Sequence, residues 1–373
     1  MSIRARRSNN RTLALLWCGV LALLLVAAAA LAQEGGPTGT QDLPPPPVMP
    51  TPKPKPTPTP AEPPDDAYDV VRVSSNLVVV PVSVTDAAGQ PVLGLTASDF
   101  RLEEEGRSQE IAEIGNPEQV PLDIAILLDV SGSINARFAF EQQAASRFLK
   151  QVLKPTDRAT VYAIDQIPRL ELARDTAERA AAKLMTVAPA KGPTAFYDTV
   201  IEAARYLSQS SPARHRRVIV VISDGEDNFS ERVKSAIGAT RQEQDEVSPK
   251  AKGLIYNRIL MEVQREVQSA EVTFYSINPS GEALRLNIIS QRAQDGMQQL
   301  ANATGGNSFV PERLENLDAV FRQIAAELRS QYLLQYYSKD ESPSGKFLRI
   351  RVTTPARPQL RVRARQGYYS RRK

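Results

Sequence analysis

Between positions 119 and 330 the chain alternates short apolar runs with longer amphipathic ones, and this alternation predicts its architecture. Apolar runs rich in β-branched residues fall at 122–128, 158–165, 217–223, 271–277 and 307–310. They are too short for helices, and their unbroken apolarity marks strands covered on both faces. A further edge strand is read at 168–173. Helical periodicity predicts helices near 137–153, 176–186, 196–209, 254–269, 292–303 and 314–330. In the last of these, Leu314, Leu317, Val320, Phe321, Ile324 and Leu328 make one core-facing stripe. Strands alternating with helices imply an α/β fold with a doubly wound parallel sheet, and about 210 residues suit one domain. Residues 231–258 are longer and more polar than a simple connection and read as an insertion.

The flanks carry a period of two. Val78, Val80, Val82 and Val84 share one face of a strand, and Asp86-Ala87-Ala88-Gly89 is a turn. Further short strands start at Asp99-Phe100-Arg101-Leu102 and Gln109-Glu110-Ile111, so residues 68–118 make about four strands, few for an independent sandwich. Near the other end, Leu348, Ile350 and Val352 alternate with Arg349 and Arg351. Leu360, Val362 and Ala364 alternate with Arg361, Arg363 and Arg365. The segments 68–118 and 331–370 are therefore read as halves of one immunoglobulin-like sandwich with the α/β domain inserted between them. The Arg stripe is read as a solvated sheet face.

The first 32 residues change the reading of charge. A basic start with Arg4, Arg6, Arg7 and Arg11 precedes an apolar run from Leu13 to a small-residue ending at Ala30-Leu31-Ala32. This is a secretory signal peptide over 1–32, with an uncleaved membrane anchor as the alternative. It holds four Arg and no acid, so the rest of the chain balances 42 basic against 42 acidic residues. The overall charge of +4 then gives no reason to expect nucleic acid as a partner. Cys18 and Trp17 also leave with the leader, so the exported protein has no disulfide and must rest on its core. Residues 33–67 are dominated by proline and read as a polyproline-type linker without a core. The expected location is the periplasm, the extracellular space or the cell envelope, with membrane contact only through an uncleaved leader.

Chemistry gathers at the strand ends. Asp129-Val130-Ser131-Gly132-Ser133 closes the first central strand, where open α/β sheets bind ligands. One carboxylate and two hydroxyls are hard oxygen donors that suit Mg²⁺ or Ca²⁺. Gly192-Pro193-Thr194 leads into a helix and adds a third hydroxyl. Ser223-Asp224-Gly225 closes another buried strand with a second carboxylate.

These residues resemble the von Willebrand factor type A (VWA) domain and its metal-ion-dependent adhesion site (MIDAS). That pattern is Asp-x-Ser-x-Ser, a distant Thr and a distant Asp in a Ser/Thr-Asp-Gly turn, met here by Asp129, Ser131, Ser133, Thr194 and Asp224. The flanks, with Val84-Thr85-Asp86, Gly94-Leu95-Thr96, Tyr332-Leu333-Leu334-Gln335-Tyr336-Tyr337 and Gly367-Tyr368-Tyr369, resemble a bacterial family of exported VWA-related proteins. Glu104-Glu105-Gly106 departs from it, an Asp-Gly turn being more usual. The resemblance implies a Rossmann-like VWA domain over 119–330 that holds Mg²⁺, with Mn²⁺ or Ca²⁺ as substitutes. It implies that a protein partner's Asp or Glu carboxylate completes the metal's coordination, without a small-molecule substrate and without bond making. The 231–258 insertion would shape or cover the metal face.

Each site residue also has an ordinary reading. Ser131 and Ser133 could cap the following helix, Thr194 the helix after Ala195, and Asp224-Gly225 could be a plain turn. Asp227 and Asn228 are read as supports of that turn, and Asp198 as a structural acceptor. No catalytic apparatus stands out: His215, the only histidine, lies in a basic approach to a strand and is read as exposed, and neither a nucleophile elbow nor a phosphate loop occurs. The expectation is a non-enzymatic, metal-dependent adhesion-type module. The alternative is a structural or assembly protein of the envelope whose VWA domain packs constitutively.

Overall fold

The computed structural model describes residues 76–131, 136–190, 192–281 and 288–370. The predicted leader and proline-rich linker lie outside the described residues.

The chain runs first into β1 (Leu77–Thr85), whose Val78, Val80, Val82 and Val84 are buried as their period of two requires. β2 (Arg101–Glu104) and β3 (Arg107–Gln109) form a hairpin in which Glu104 pairs with Arg107. Its two-residue turn, Glu105-Gly106, has φ of 48° and 76°. Two left-handed residues are what a type I′ hairpin demands, so the glutamate occupies the place where Asp or Asn is more usual. The backbone N–H of Glu105 donates to the Arg349 carbonyl (2.9 Å), and its carboxylate accepts from the Arg349 N–H (2.6 Å), which fixes the turn. β4 (Glu113–Gly115) ends this flank.

The central part follows the predicted alternation. In chain order its strands are β5 (Leu122–Asp129), β6 (Arg158–Ile164), β7 (Pro168–Asp175), β8 (Arg216–Ile222), β9 (Val272–Ile277) and β10 (Ser308–Phe309). They lie in the order β10-β9-β8-β5-β6-β7, all parallel except the antiparallel edge strand β7. Its helices are α1 (Ala136–Val152), α2 (Ala177–Leu184), α3 (Phe196–Ser210), α4 (Glu231–Ile237), α5 (Arg241–Glu246), α6 (Pro249–Ser269), α7 (Ile288–Thr304) and α8 (Leu317–Ser330).

β5 explains why its sequence is a continuous apolar run. Leu122, Ile124, Ile126 and Leu128 face a layer that includes Phe148 and Leu149 of α1, Leu184 of α2 and Phe321, Ile324 and Leu328 of α8. Ala125 and Leu127 face the other layer, with Val200 and Leu207 of α3, Val263 of α6 and Met297 and Leu300 of α7. Each large side chain fully buried in this way contributes about 1.5–3 kcal/mol. The chain winds from β5 towards β7 on one side and from β8 towards β10 on the other. The order therefore reverses between β5 and β8, and the crevice at their carboxyl ends is the switch point of the sheet.

The C-terminal flank contributes β11 (Tyr332–Tyr337), β12 (Phe347–Thr353), β13 (Arg361–Ala364) and β14 (Gly367–Tyr369). β11 pairs antiparallel with β1 from Leu77↔Tyr337 to Val82↔Tyr332, and also with β4. β12 pairs with β2, Ile350 opposite Glu104. Two four-stranded sheets result, β13-β1-β11-β4 and β14-β12-β2-β3, each built from both ends of the chain. Their shared core joins the β1 valines to Leu102, Leu334, Tyr336, Leu348 and Ile350. Within it Glu104 is buried and accepts hydrogen bonds from the hydroxyls of Tyr336, Tyr368 and Ser338, each at 2.8 Å.

Four expectations need correction. The segment 231–258 is built of the short helices α4 and α5 and the start of α6, and the helix expected at 254 already begins at Pro249. Ser248 caps it by accepting from the Ala251 N–H, with Pro249 at its first position, so the helix starts where capping chemistry allows. Residues 314–316 form a separate 3-10 turn before α8. His215 is not an exposed residue but largely buried, its Nδ1 3.0 Å from Asp123 Oδ2. Finally, the Arg stripe divides. Arg349, Arg351 and Arg361 are exposed, but Arg363 reaches back to the wholly buried Glu327 of α8 at 2.7 Å, and Arg365 donates to the Val79 carbonyl. Arg363 of β13 thus meets α8 and Arg365 just after the strand meets β1, in place of solvent.

Candidate functional site

The register of the central sheet puts the acidic ends of two strands side by side. Leu128 of β5 pairs with Ile222 of β8, so Asp129 neighbours Ser223 and Asp224. The Ser223 hydroxyl donates to Asp129 Oδ2 (2.6 Å), and the Ser131 N–H donates to Asp129 Oδ1 (3.0 Å). Asp224 Oδ1 accepts from the Glu226 N–H (3.1 Å) across the turn. That turn needs glycine: Gly225 has φ of 77°, and a Cβ there would approach the Met297 side chain to 2.8 Å.

Thr194 arrives from the loop before α3. Its N–H donates to Asn228 Oδ1 (3.0 Å) and its hydroxyl to the Glu226 carbonyl (2.9 Å). Its own carbonyl accepts from the N–H groups of Asn228 and Phe229. Four bonds thus hold Thr194 against the loop that carries Asp224. The helix behind it is preceded by Ala195 without a side-chain cap, so Thr194 is not serving as a cap. Asp227 fixes the far side of the loop, accepting from the N–H groups of Tyr197 (2.6 Å), Phe229 and Ser230 and from the Ser230 hydroxyl. Asp198 accepts from the Glu231 N–H (2.7 Å) and pairs with Arg232 (2.8 Å), the structural part expected of it. The segment after the loop also braces it, since the Tyr256 hydroxyl donates to the Asp227 carbonyl (3.0 Å).

The structure thus brings together Asp129, Thr194 and Asp224, with exposed Ser131 next to Asp129. Ser133 lies outside the described residues. Sequence reading missed Arg137 and Glu141, one turn apart on α1 and linked at 3.1 Å. Glu141 is buried, and a carboxylate on the inward side of an amphipathic helix was the available signal.

Electrostatically the cluster is an excess of negative charge. Burial pushes the Asp129 carboxyl above the usual range despite its hydrogen bonds. Burial, then the charge of Asp129, raises Asp224 to about 6. Burial raises Glu141 to about 7; Arg137 opposes this while Asp129 and Asp224 add to it. Such a cluster favours whatever positive charge can reach it. The donors at hand are carboxylate and hydroxyl oxygens, which fit a hard divalent cation. Among the described residues no three His, Cys, Asp or Glu side chains are placed to hold a metal together, so binding here would depend on hydroxyl ligands.

A doubly wound α/β domain with two carboxylates and a tethered threonine hydroxyl at its switch point belongs to a recognisable class. Residues 124–226, from β5 through the Asp224 turn, match the von Willebrand factor type A domain model, so this stretch of the chain carries a VWA domain. Domains of this family are often adhesion or protein-interaction modules and commonly bind a divalent metal at a MIDAS. Among solved structures, the chain is similar to an aerotolerance-related membrane protein from Bacteroides fragilis, with 18% identity over 56% of this chain and 98% of that one and a TM-score of 0.39. It is also similar to a von Willebrand factor type A protein from Catenulispora acidiphila (14% identity, 69% of this chain, 51% of that one, TM-score 0.41). A third is the pilus adhesin SpaC from Lactobacillus rhamnosus GG (11% identity, 66% and 35% coverage, TM-score 0.42). A search of curated proteins returned no match.

Proposed function

We propose that this protein is an exported, divalent-metal-dependent protein-binding module of the periplasm, cell surface or wider envelope. Asp129, Ser131, Ser133, Thr194 and Asp224 would hold the ion, Mg²⁺ in the first place, with Mn²⁺ or Ca²⁺ as substitutes. When bound, the ion supplies a Lewis-acidic position for one carboxylate of a partner's Asp or Glu. Only two of the five side chains are acidic, so the ion's charge is not saturated and an added anion remains attractive. Thr194 and the 223–230 loop act as a rigid shelf, and no bond is made or broken. Under this reading the protein is not an enzyme.

The observation that carries the proposal is the pair of carboxylates at the adjoining ends of β5 and β8, both pushed up by burial, with Arg137 as the cation acting on Asp224. Calorimetry with Mg²⁺ and Mn²⁺, followed by partner capture from an envelope extract with and without chelator, tests it. Saturable metal binding and chelator-sensitive capture are expected. Capture that ignores chelator would reject the metal bridge and favour constitutive assembly in the envelope.

A further inference from the structure

A second concavity lies next to the proposed metal face. It is a cavity of about 320 Å³ between α3, α6 and α7, lined among others by Tyr197, Tyr256, Leu260, Ile288, Arg292 and Gly296. Its walls are fastened to the loop that follows Asp224. Tyr256 donates to the Asp227 carbonyl, the Tyr197 N–H to the Asp227 carboxylate, and the Ser290 hydroxyl to Glu226 Oε1 (2.5 Å). The first turns of α3 and α7 open at the carboxyl end of the sheet, as does Asp224.

Three features give this cavity the character of a recognition pocket. The volume falls at the small end of ligand sites, enough for a side chain and too little for a large molecule. Its lining exposes an apolar side chain where solvent would favour a polar one: Ile288 is 75% exposed, and Ile289 beside it in α7 and Leu254 of α6 are exposed at 60% and 66%. An apolar rim around a concave site is a mark of an interaction surface. Its electrostatics also favour an acidic visitor. The first half of α6 carries Lys250, Lys252 and Arg258 with no carboxylate between Ser248 and Met261; Lys252 lies 4.0 Å from Asp245 of α5, and the Arg292 guanidinium lies 5.8 Å from the Tyr256 ring on the wall. Among the described residues Asp295 is the one acid lining the cavity.

We propose that this pocket receives a leucine or aromatic side chain from the same extended acidic segment whose Asp or Glu reaches the metal. The inference rests on the metal-bridge reading and adds a specificity element to it: an acidic residue with a large apolar neighbour. The carboxylate supplies metal dependence, the apolar anchor supplies selectivity, and the basic first half of α6 draws acidic segments in.

Gly296 gives direct access to a test. A Cβ there would meet Leu260 at 3.6 Å and the Tyr197 hydroxyl at 3.9 Å, ordinary contacts directed at lining residues. Gly296→Leu should fill the pocket from within a helix that gains propensity on losing glycine. The probe is a set of labelled synthetic peptides with one fixed glutamate in a Gly/Ser background and neighbouring positions scanned over Lys, Asp, Leu and Phe. Binding to the full chain is followed by anisotropy in MgCl₂ or EDTA. Leu or Phe near the glutamate should tighten binding about tenfold, the effect of burying one or two methylenes' worth of surface or more. Gly296→Leu should erase that preference while Mg²⁺ calorimetry and the dependence on glutamate stay unchanged. Ile288→Ser, on the exposed rim, should weaken the preference without touching the core. Equal binding of all neighbours, a preference that survives Gly296→Leu, or no peptide binding at all would overturn the pocket. An apolar preference that persists in EDTA and is lost in Gly296→Leu would support the pocket and reject the metal bridge.

Discussion

Replacing Asp224 by asparagine should stabilise the metal-free protein and weaken the metal-loaded one. In the folded chain this carboxyl is raised from the ordinary 3.8 to about 6, by burial first and the charge of Asp129 second. A folded-state value above the unfolded one means that the folded protein binds the extra proton. Stability is then lost as pH rises from about 4 through 6, and the full loss is present at pH 7. The displacement corresponds to about 3 kcal/mol. Asp224 is only partly buried, and solvent screening brings this to about 1–2 kcal/mol. Asp224→Asn removes that cost and keeps an oxygen for the Glu226 N–H. Melting in EDTA at pH 7 should therefore show the variant higher by about 3–6 °C for a domain of this size. The gain should disappear near pH 4, where the native carboxyl is already protonated. With Mg²⁺ at a hundredfold excess over Kd the native protein should gain about 2.7 kcal/mol, and the variant little of it. The order of stabilities then inverts between EDTA and Mg²⁺. A variant no more stable than the native protein in EDTA, or one with an undiminished Mg²⁺ shift, would refute the claim that Asp224 is held at a cost for the sake of a cation.

Ser131→Ala combined with Ser133→Ala should abolish metal affinity in calorimetry and leave the circular dichroism spectrum unchanged, because the exposed Ser131 is no part of the core. Glu104→Ala should cost about 3–5 kcal/mol in urea unfolding, since three hydroxyls lose a buried carboxylate acceptor; a loss below about 1 kcal/mol would mean that the sandwich core does not need it. The Glu327–Arg363 contact at 2.7 Å is ionic and not an aligned hydrogen bond. Glu327→Leu alone should cost about 3 kcal/mol and the double change with Arg363→Met clearly less, because the single change strands a mostly buried guanidinium. Equal losses in the single and double variants would show that the two residues are not coupled.

Much of this protein was legible along the chain. Period and run length placed every central strand within about two residues, most directly for β5, β6, β8 and β9, because a strand covered by helices on both faces has almost no polar position to disguise it. The same logic put Asp129 and Asp224 at strand ends, where apolar sequence turns polar. The alternation of Val78 to Val84 similarly fixed which face of β1 is buried. Other features depend on partners far apart in sequence. That the two flanks join was expected from their period-two patterns, but which strands pair, β1 with β11 some 250 residues away, and that Glu104 meets Tyr336 and Tyr368 follow only from their docking. Arg363 and Arg361 share one strand, one face and one chemistry, yet one meets a buried glutamate and the other water, since only the position of α8 along β13 decides which of the two is covered. The carboxyls of Glu141 and Asp224 are pushed up by burial first and by charges on other elements second, and the cavity beside Gly296 exists only once three helices close around it. Local sequence sets backbone propensity and which face is apolar. Proximity of charges and shape of a cavity are properties of the assembled core, and no single segment carries them.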